Sequence, residues 1–333
     1  MMTTHLVLGS SGFVGEHLTQ RLLDQGDRVI AVDIQAHSIQ HPHCIFEQID
    51  IRNFRFSPVF KDVSVIHHCA SLVPLSHSKS SMSSVNIEGT ENILQAFKDH
   101  GLDHFIYYSS SSVTGFHAHD ITEEVIPCPV EYYGESKLMA EKLVADFCRD
   151  QKIPYAILRP RTIGGPGRLG LFELLFSWIS KNKNIILPGP GPDLFQMIHI
   201  DDLISASLSV IRNHGTGIFN VGNEAKNSLT EDLQALIKLS HSSSQILCLP
   251  KEAVSVLKAL TTLSLNPFAP WQYLAFNERH ILDTKKLRAI GWAPKFSNLE
   301  ILAEGYDSYL TNKSIHPSLH KRPIDLLRFG FLR

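Results

Sequence analysis

The chain has 333 residues, more than the ~100–200 of an ordinary domain, which leads us to expect one large domain or two built closely together, with no need of disulfide or metal staples. Hydrophobic residues make up 43% and charged residues 19%, and 31 Lys+Arg against 33 Asp+Glu leave a net charge of −2. That balance argues against a disordered chain and against a strongly basic nucleic-acid binder. No apolar run approaches the ~20 residues of a membrane-spanning helix, and the N-terminus lacks the pattern of a signal peptide, so a soluble protein without integral membrane segments is expected. The cysteines Cys44, Cys69, Cys128, Cys148 and Cys248 are scattered and odd in number, with no Cys-x-x-Cys pair. They suggest neither a disulfide framework nor a zinc ribbon and fit a reducing cytoplasm. The 18 histidines include His67-His68 and His117-Ala118-His119 but form no cluster at metal-ligand spacing, so no metal is expected.

Along the chain, short β-branched or apolar runs alternate with helical patterns. Strands are predicted at His5–Leu8, Arg28–Asp33, Ile45–Ile49, Val63–His68, His104–Tyr108 and Tyr155–Leu158. Helices are predicted at Gly12–Leu23, through Val85, Ile87, Ile93, Leu94 and Phe97, and at Tyr133–Cys148. This alternation implies an α/β fold: a Rossmann-type, doubly wound parallel sheet with helices on both faces. The Ser-rich stretch Ser76–Ser84 reads as a loop. After Arg159-Pro160 the glycines and prolines of 164–167 and 188–192 punctuate the chain around an apolar helical stretch, Leu171–Ile179, which looks like the start of a smaller, mixed C-terminal lobe. A further strand is predicted at Ile218–Val221. Ser228 and Glu231 have capping-box spacing ahead of a helix, and more helices are expected at Glu252–Leu263, Thr284–Ile290 and Asn298–Tyr309. The expected division is 1–161 for the nucleotide-binding domain, with returning segments near 195–225 and 281–284, and 162–194, 226–280 and 285–333 for a substrate-binding lobe.

Three features carry chemistry. Gly9-Ser10-Ser11-Gly12-Phe13-Val14-Gly15 follows a predicted strand and opens a predicted helix. Glycines there allow a sharp turn and close approach of backbone to a pyrophosphate, while the helix N-terminus presents free N–H groups and a positive dipole. Asp33 ends the second strand, where a carboxylate accepts from a ribose diol and repels a 2′-phosphate, so NAD is favoured over NADP. Tyr133 and Lys137 are four apart at a helix start and share a face. A phenol of pKa ~10 is a poor base at neutral pH, but a nearby ammonium and a nicotinamide cation would both favour phenolate. Lastly, Ser109 to Ser112 stand at the carboxyl end of a strand, where open α/β sheets bind ligands, and a hydroxyl there can orient an alcohol or ketone.

In this order and spacing the three features resemble the short-chain dehydrogenase/reductase superfamily, and the length is similar to its extended, NAD-dependent epimerase/dehydratase branch. Further carriers are His68-Cys69-Ala70-Ser71, Asn86 within 85–92, Leu158-Arg159-Pro160, Gly165–Arg168, Ile198–Leu203, Phe219-Asn220-Val221 and the run from Asp283 to Gly291-Trp292. The resemblance implies Tyr133 as acid/base, Lys137 as its electrostatic and ribose-binding partner, and Ser110 as the hydroxyl that polarises the reacting oxygen, with Ser111 its neighbouring alternative. It implies adenine contacts from Asp50 and Ile51, ribose and phosphate contacts from Cys69 and Ala70, and an ordering role for Asn86.

The epimerase-like second lobe implies a nucleotide-sugar substrate, with Arg168 facing a diphosphate. Phe195 stands where many nucleotide-sugar epimerases carry a diphosphate-binding arginine. This departure keeps open a 3β-hydroxysteroid dehydrogenase-like or flavonol reductase-like enzyme acting on an apolar alcohol or ketone, with Phe195, Met197, Trp271, Tyr273 and Phe276 as its candidate lining. A noncatalytic NAD-sensing protein is a third reading, since fold alone does not imply chemistry. The basic and apolar tail Ser314–Arg333 is compatible with weak peripheral membrane contact, and homodimerisation is expected by analogy with the family.

Overall fold

The computed structural model describes residues 2–36, 38–73, 78–168, 171–187, 189, 191–250 and 278–315. In chain order the elements are β1 (Thr4–Leu8), α1 (Phe13–Asp24), β2 (Arg28–Asp33), β3 (Cys44–Gln48), β4 (Val65–His68), α2 (Lys79–Met82), α3 (Gly89–Ala96), β5 (His104–Tyr108), α4 (Tyr132–Asp150), β6 (Tyr155–Pro160) and β7 (Thr162–Gly164). There follow α5 (Leu171–Ser180), β8 (Ile185–Leu187), β9 (Met197–His199), α6 (Ile200–Arg212), β10 (Gly217–Val221), α7 (Leu229–Leu239), β11 (Ile246–Cys248), α8 (Lys285–Ala289) and α9 (Asn298–Ile315). The expected helix Glu252–Leu263, the aromatics Trp271, Tyr273 and Phe276, and the tail from 316 onward lie outside the described residues.

Seven strands pair in parallel in the order β10-β6-β5-β4-β1-β2-β3. Both faces are covered, which is why β1 and β5 are buried at every position and read as apolar runs rather than alternating ones. Side chains alternate across the sheet. Val7, Val29, Ala31 and Ile106 pack with Leu18 and Leu22 of α1 and Leu203 and Ile204 of α6. Leu6, Leu8, Ile30 and Phe105 pack on the other face with Phe54, Phe60 and Phe97 and with Ala140 and Val144 of α4. A third cluster holds Phe172, Phe176, Met197, Leu233, Ile301 and Tyr306 together beyond the sheet, and there the short pairs β7–β9 and β8–β11 form.

The strand order reverses at β1, whose neighbours are β2 on one side and β4 on the other, and this opens the crevice at the carboxyl ends where α/β sheets hold ligands. Two short loops border it: Gly9 to Gly12 after β1, and Cys69-Ala70 after β4, tied to β1 by the Cys69 N–H on Leu8 O at 2.9 Å. The Ser-rich stretch departs from the expected loop. Ser78 caps α2 by accepting from the Ser81 N–H at 3.2 Å, and a wide π-type turn over Ser83–Glu88 leads into α3. Serine side chains supply acceptors to free helical N–H groups, so a serine run that reads as a loop can also start a helix.

Candidate active site

A cavity of about 240 Å³ lies in the crevice between β1 and β4, walled by Gly9, Ser11, Gly12, Asp33, Asp50, Ile51, Cys69 and Ala70 among others. Gly9 has φ +81°, and a Cβ on it would stand 2.6 Å from Ala70 N; a Cβ on Gly15 would stand 2.0 Å from Gly9 O. The first glycine thus permits the turn, and the second lets α1 press against it. Gly12 caps α1 without a side-chain hydrogen bond, so the first N–H groups of a 12-residue helix face this cavity edge unblocked. Behind the loop, Val14 packs on the core, and the Phe13 ring turns toward Arg168. The Asp33 carboxylate accepts from the Ser11 N–H at 3.0 Å and the Gln35 N–H at 2.9 Å, which aims it and leaves lone pairs toward the cavity. Asp50 is held by Arg52 at 2.5–3.0 Å, and this pairing keeps its carboxyl below the usual range. Ile51 packs beneath Gly89 of α3, where a Cβ would come within 2.7 Å of its side chain. The glycine cradle, the carboxylate at the end of β2 and the flat wall of Ile51, Cys69 and Ala70 fit a dinucleotide.

A second cavity of about 240 Å³ is lined by Val73, which follows the Ser71-Leu72 wall of the first, and by Ser109–Ser112, Glu131, Tyr133, Arg161, Arg168 and His280 among others. Tyr133 comes from the first turn of α4, and Ser110 from the end of β5. Gly134 lets the two segments meet, since a Cβ there would stand 2.5 Å from Ser112 O. Burial pushes the Tyr133 phenol up to about 12, while the hydroxyls of Ser110 and Ser71 and the charge of Arg168 pull it back and Glu131 opposes them. Arg168 lines the same cavity and its charge favours the phenolate, while Lys137, the partner that the resemblance implies, stands one helical turn further along α4. Lys137 is buried, donates to Tyr108 O at 2.6 Å and lies 4.6 Å from the centre of the Tyr107 ring. Burial lowers its ammonium to about 8, against the pull of Cys69 and Glu141. One turn of helix puts both residues on one face, but a buried ammonium takes the nearest carbonyl, and here that belongs to β5.

Several supports sit beneath. Asn86, in the wide turn before α3, accepts from the Leu72 N–H at 2.8 Å and donates to Leu72 O and Ser136 Oγ, clamping the Ser71–Leu72 loop against α4. Ser109 donates to Glu141, which also takes Arg159 through two bonds of 2.9 and 2.6 Å in a fully buried network. Ser111 is buried, and its carbonyl accepts from Thr114 Oγ1. Phe195 does not line the cavity: it is 3% exposed in the third core, its ring 5.6 Å from the Arg161 guanidinium.

The sequence reading gave no site role to Glu131, Arg161 and His280, and named Ser71 and Ser112 only within longer motifs. Ser112 Oγ is buried without a partner among the described residues. Burial raises the Glu131 carboxyl to about 7 and lowers Arg161 to about 10. Arg161 directly follows β6, and the rule that strand ends bind ligands could have found it. His280 joins from more than a hundred residues away, donor or acceptor to Thr114 Oγ1 at 3.0 Å, and nothing local signals it. Among the described residues no group of three or more His, Cys, Asp or Glu could hold a metal ion, and no helix is long and apolar enough to cross a membrane.

Residues 5–222 match the model of the NAD dependent epimerase/dehydratase family. The chain is 32% identical to the uncharacterized protein y4nG of Sinorhizobium fredii, over 97% of this chain and 84% of that protein. It is also 32% identical to the decarboxylating sterol-4-alpha-carboxylate 3-dehydrogenase of Mus musculus, a match confined to 60% of this chain and 56% of the mouse protein. Among solved structures, UDP-glucuronic acid 4-epimerase from Bacillus cereus, in complex with UDP-glucuronic acid and NAD, shares the fold with a TM-score of 0.77. Identity is 24%, covering 93% of this chain and 99% of that one.

Proposed function

Because this chain belongs to the NAD dependent epimerase/dehydratase family, we propose that it is an NAD-dependent enzyme that oxidises a carbinol of a nucleotide sugar, with Tyr133 as the proton-transferring group. One observation carries the reading: Ser71, which lines the crevice beside the glycine loop, also reaches with its hydroxyl the phenol of Tyr133, which lines the second cavity. NAD, when bound, supplies the hydride acceptor and donor. Gly9, Ser11, Gly12, Phe13, Val14 and Gly15 would form its pyrophosphate cradle, Asp33 would accept from the adenosine ribose, and Asp50, Ile51, Cys69 and Ala70 would flank the adenine half.

Tyr133 takes the substrate hydroxyl proton and can return it, for which its phenol must ionise. Ser110, Ser71 and Arg168 all favour that ionised form against burial. Ser110 orients the reacting oxygen, with Ser111 beside it, and Lys137, anchored on Tyr108 O, would hold the nicotinamide ribose and favour the phenolate by its charge. The likeness to the nucleotide-sugar epimerase covers 93% of the chain, whereas that to the sterol enzyme covers 60%. A dehydrogenase acting on an apolar alcohol is the second reading. It is favoured by that relative's 32% identity over the segment that matches. The free cysteines support a cytoplasmic setting.

The test is to denature freshly purified protein, quantify the released dinucleotide, and assay UDP-glucose and UDP-glucuronic acid for epimerised or dehydrated product. Near-stoichiometric NAD with a changed sugar is expected. An empty protein that turns over a hydrophobic alcohol and leaves both sugars unchanged would replace this reading with the second.

A further inference from the structure

The wall around Tyr133 carries more positive charge than a proton transfer needs. Arg161 is 6% exposed; its Nε donates to His280 O at 2.7 Å and its Nη1 to Thr162 Oγ1 at 3.2 Å, which leaves Nη2 and half of Nη1 uncommitted. Its position two residues after Arg159 makes the contrast plain. The fold gives Arg159 a buried carboxylate, Glu141, in a two-bond fork, and gives Arg161 none among the described residues. Arg168 likewise has no carboxylate partner among the described residues, and its guanidinium stands 5.2 Å from the centre of the Phe13 ring and acts on the Tyr133 phenol.

A buried Arg161 and a half-buried Arg168, neither with a counter-ion among the described residues, are costly to fold unless a ligand completes them. The Phe195 and Phe13 rings lie against the two guanidiniums and limit how each can turn, and a planar fork matches a carboxylate. Among the described residues the one carboxyl on this wall, Glu131, is pushed toward its neutral form by burial and pairs with neither arginine. The cavity, about 240 Å³, is smaller than the ~300–1,000 Å³ of drug-sized sites, so an anion held there lies close to the reacting carbon.

We propose that the substrate is a hydroxy acid, its carboxylate held by Arg161 and Arg168 within one or two carbons of the carbinol that Tyr133 serves. This rests on the reading of Tyr133 given above for the acid/base and extends it to the substrate's charge. The neutral hydroxymethyl counterpart of the same ring would leave both arginines uncompensated.

The test is calorimetric titration of the full-length, NAD-loaded protein with UDP-glucuronic acid and with UDP-glucose, which differ in a carboxylate against a hydroxymethyl group. Binding of the acid at least tenfold tighter is expected, with the preference falling to less than threefold in both Arg161→Met and Arg168→Met; Arg161→Gln, which also removes the charge but keeps a polar head, serves if the first fails to fold. Equal affinities, or a preference that survives both substitutions, overturn the proposal. If neither UDP-sugar binds, the nucleotide-sugar reading fails by itself, and trans-2-hydroxycyclohexanecarboxylate is titrated against its methyl ester. Preference for that acid, lost in Arg168→Met, upholds the proposal, and no preference ends it.

Discussion

At the scale of single residues, the site is a set of groups whose chemistry is set by their neighbours. Tyr133→Phe removes one oxygen and keeps the ring's packing, so turnover should fall by ~10²–10⁴, the usual worth of a positioned acid/base, while dinucleotide affinity stays nearly unchanged. Steady-state assays beside NADH titration check this; full turnover by the variant would remove Tyr133 from the chemistry, and NAD-dependent behaviour without turnover in either form would favour a sensor. Asp33→Ala should weaken NAD by about tenfold, the worth of a charged hydrogen bond near ~1.5 kcal/mol, and narrow discrimination against NADP. Titration with both dinucleotides decides it, and unchanged discrimination would free Asp33 of the role. Tyr133, Lys137, Ser110 and Asp33 were legible because each belongs to a local pattern at a strand end or helix start. Arg161 and His280 were not, since their meaning arises only where distant segments meet, as in the Arg161 Nε bond to His280 O.

At the scale of elements, β1, its glycine loop and α1 act as one unit. Gly15→Ala would drive a Cβ to 2.0 Å from Gly9 O, a backbone atom that cannot turn aside. We expect a loss of about 1–3 kcal/mol of stability from overpacking, together with loss of dinucleotide binding as the cradle opens. Urea denaturation and calorimetric titration measure the two, and a variant normal in both would contradict the packing described. Elements with strong local signals appeared where expected: the capping box of Ser228 and Glu231 starts α7, with Ser228 Oγ accepting from the Glu231 N–H at 3.2 Å. The Ser76–Ser84 stretch was misread because serine satisfies both turns and helix starts, and its neighbours chose between them. The wide turn after it could not be foreseen. It places Asn86 where it grips both Leu72 and Ser136.

At the scale of the molecule, burying the parallel sheet also buries its histidines. Burial holds His68 down to about 3 and His104 to about 4, and pushes His67 well below its ordinary value, with His5 and His104 adding to it. The folded protein therefore binds these protons more weakly than the unfolded chain, whose histidines titrate near ~6.5. Their stabilising effect is complete above pH ~6.5 and is lost as pH falls toward 4 and then 3, at up to ~1.4 kcal/mol per unit for each group. Denaturation midpoints should thus drop steadily from pH 7 to 5, and less steeply in His104→Asn; a flat profile would contradict the burial. By itself the sequence determined the α/β class, the order of strands and helices as far as β6 apart from α2, the glycine cradle, and the placement of Tyr133 and Lys137 on one helical face. These rest on periodicity and spacing, which act over a few residues. The tertiary structure alone decided that Lys137 would turn to Tyr108 O, that Arg168 would line the same cavity as Tyr133, and that among the described residues Arg159 would receive a carboxylate and Arg161 none. Those outcomes depend on which buried groups segments far apart in the chain bring within reach of one another, and a desolvated charge takes whatever partner that packing supplies.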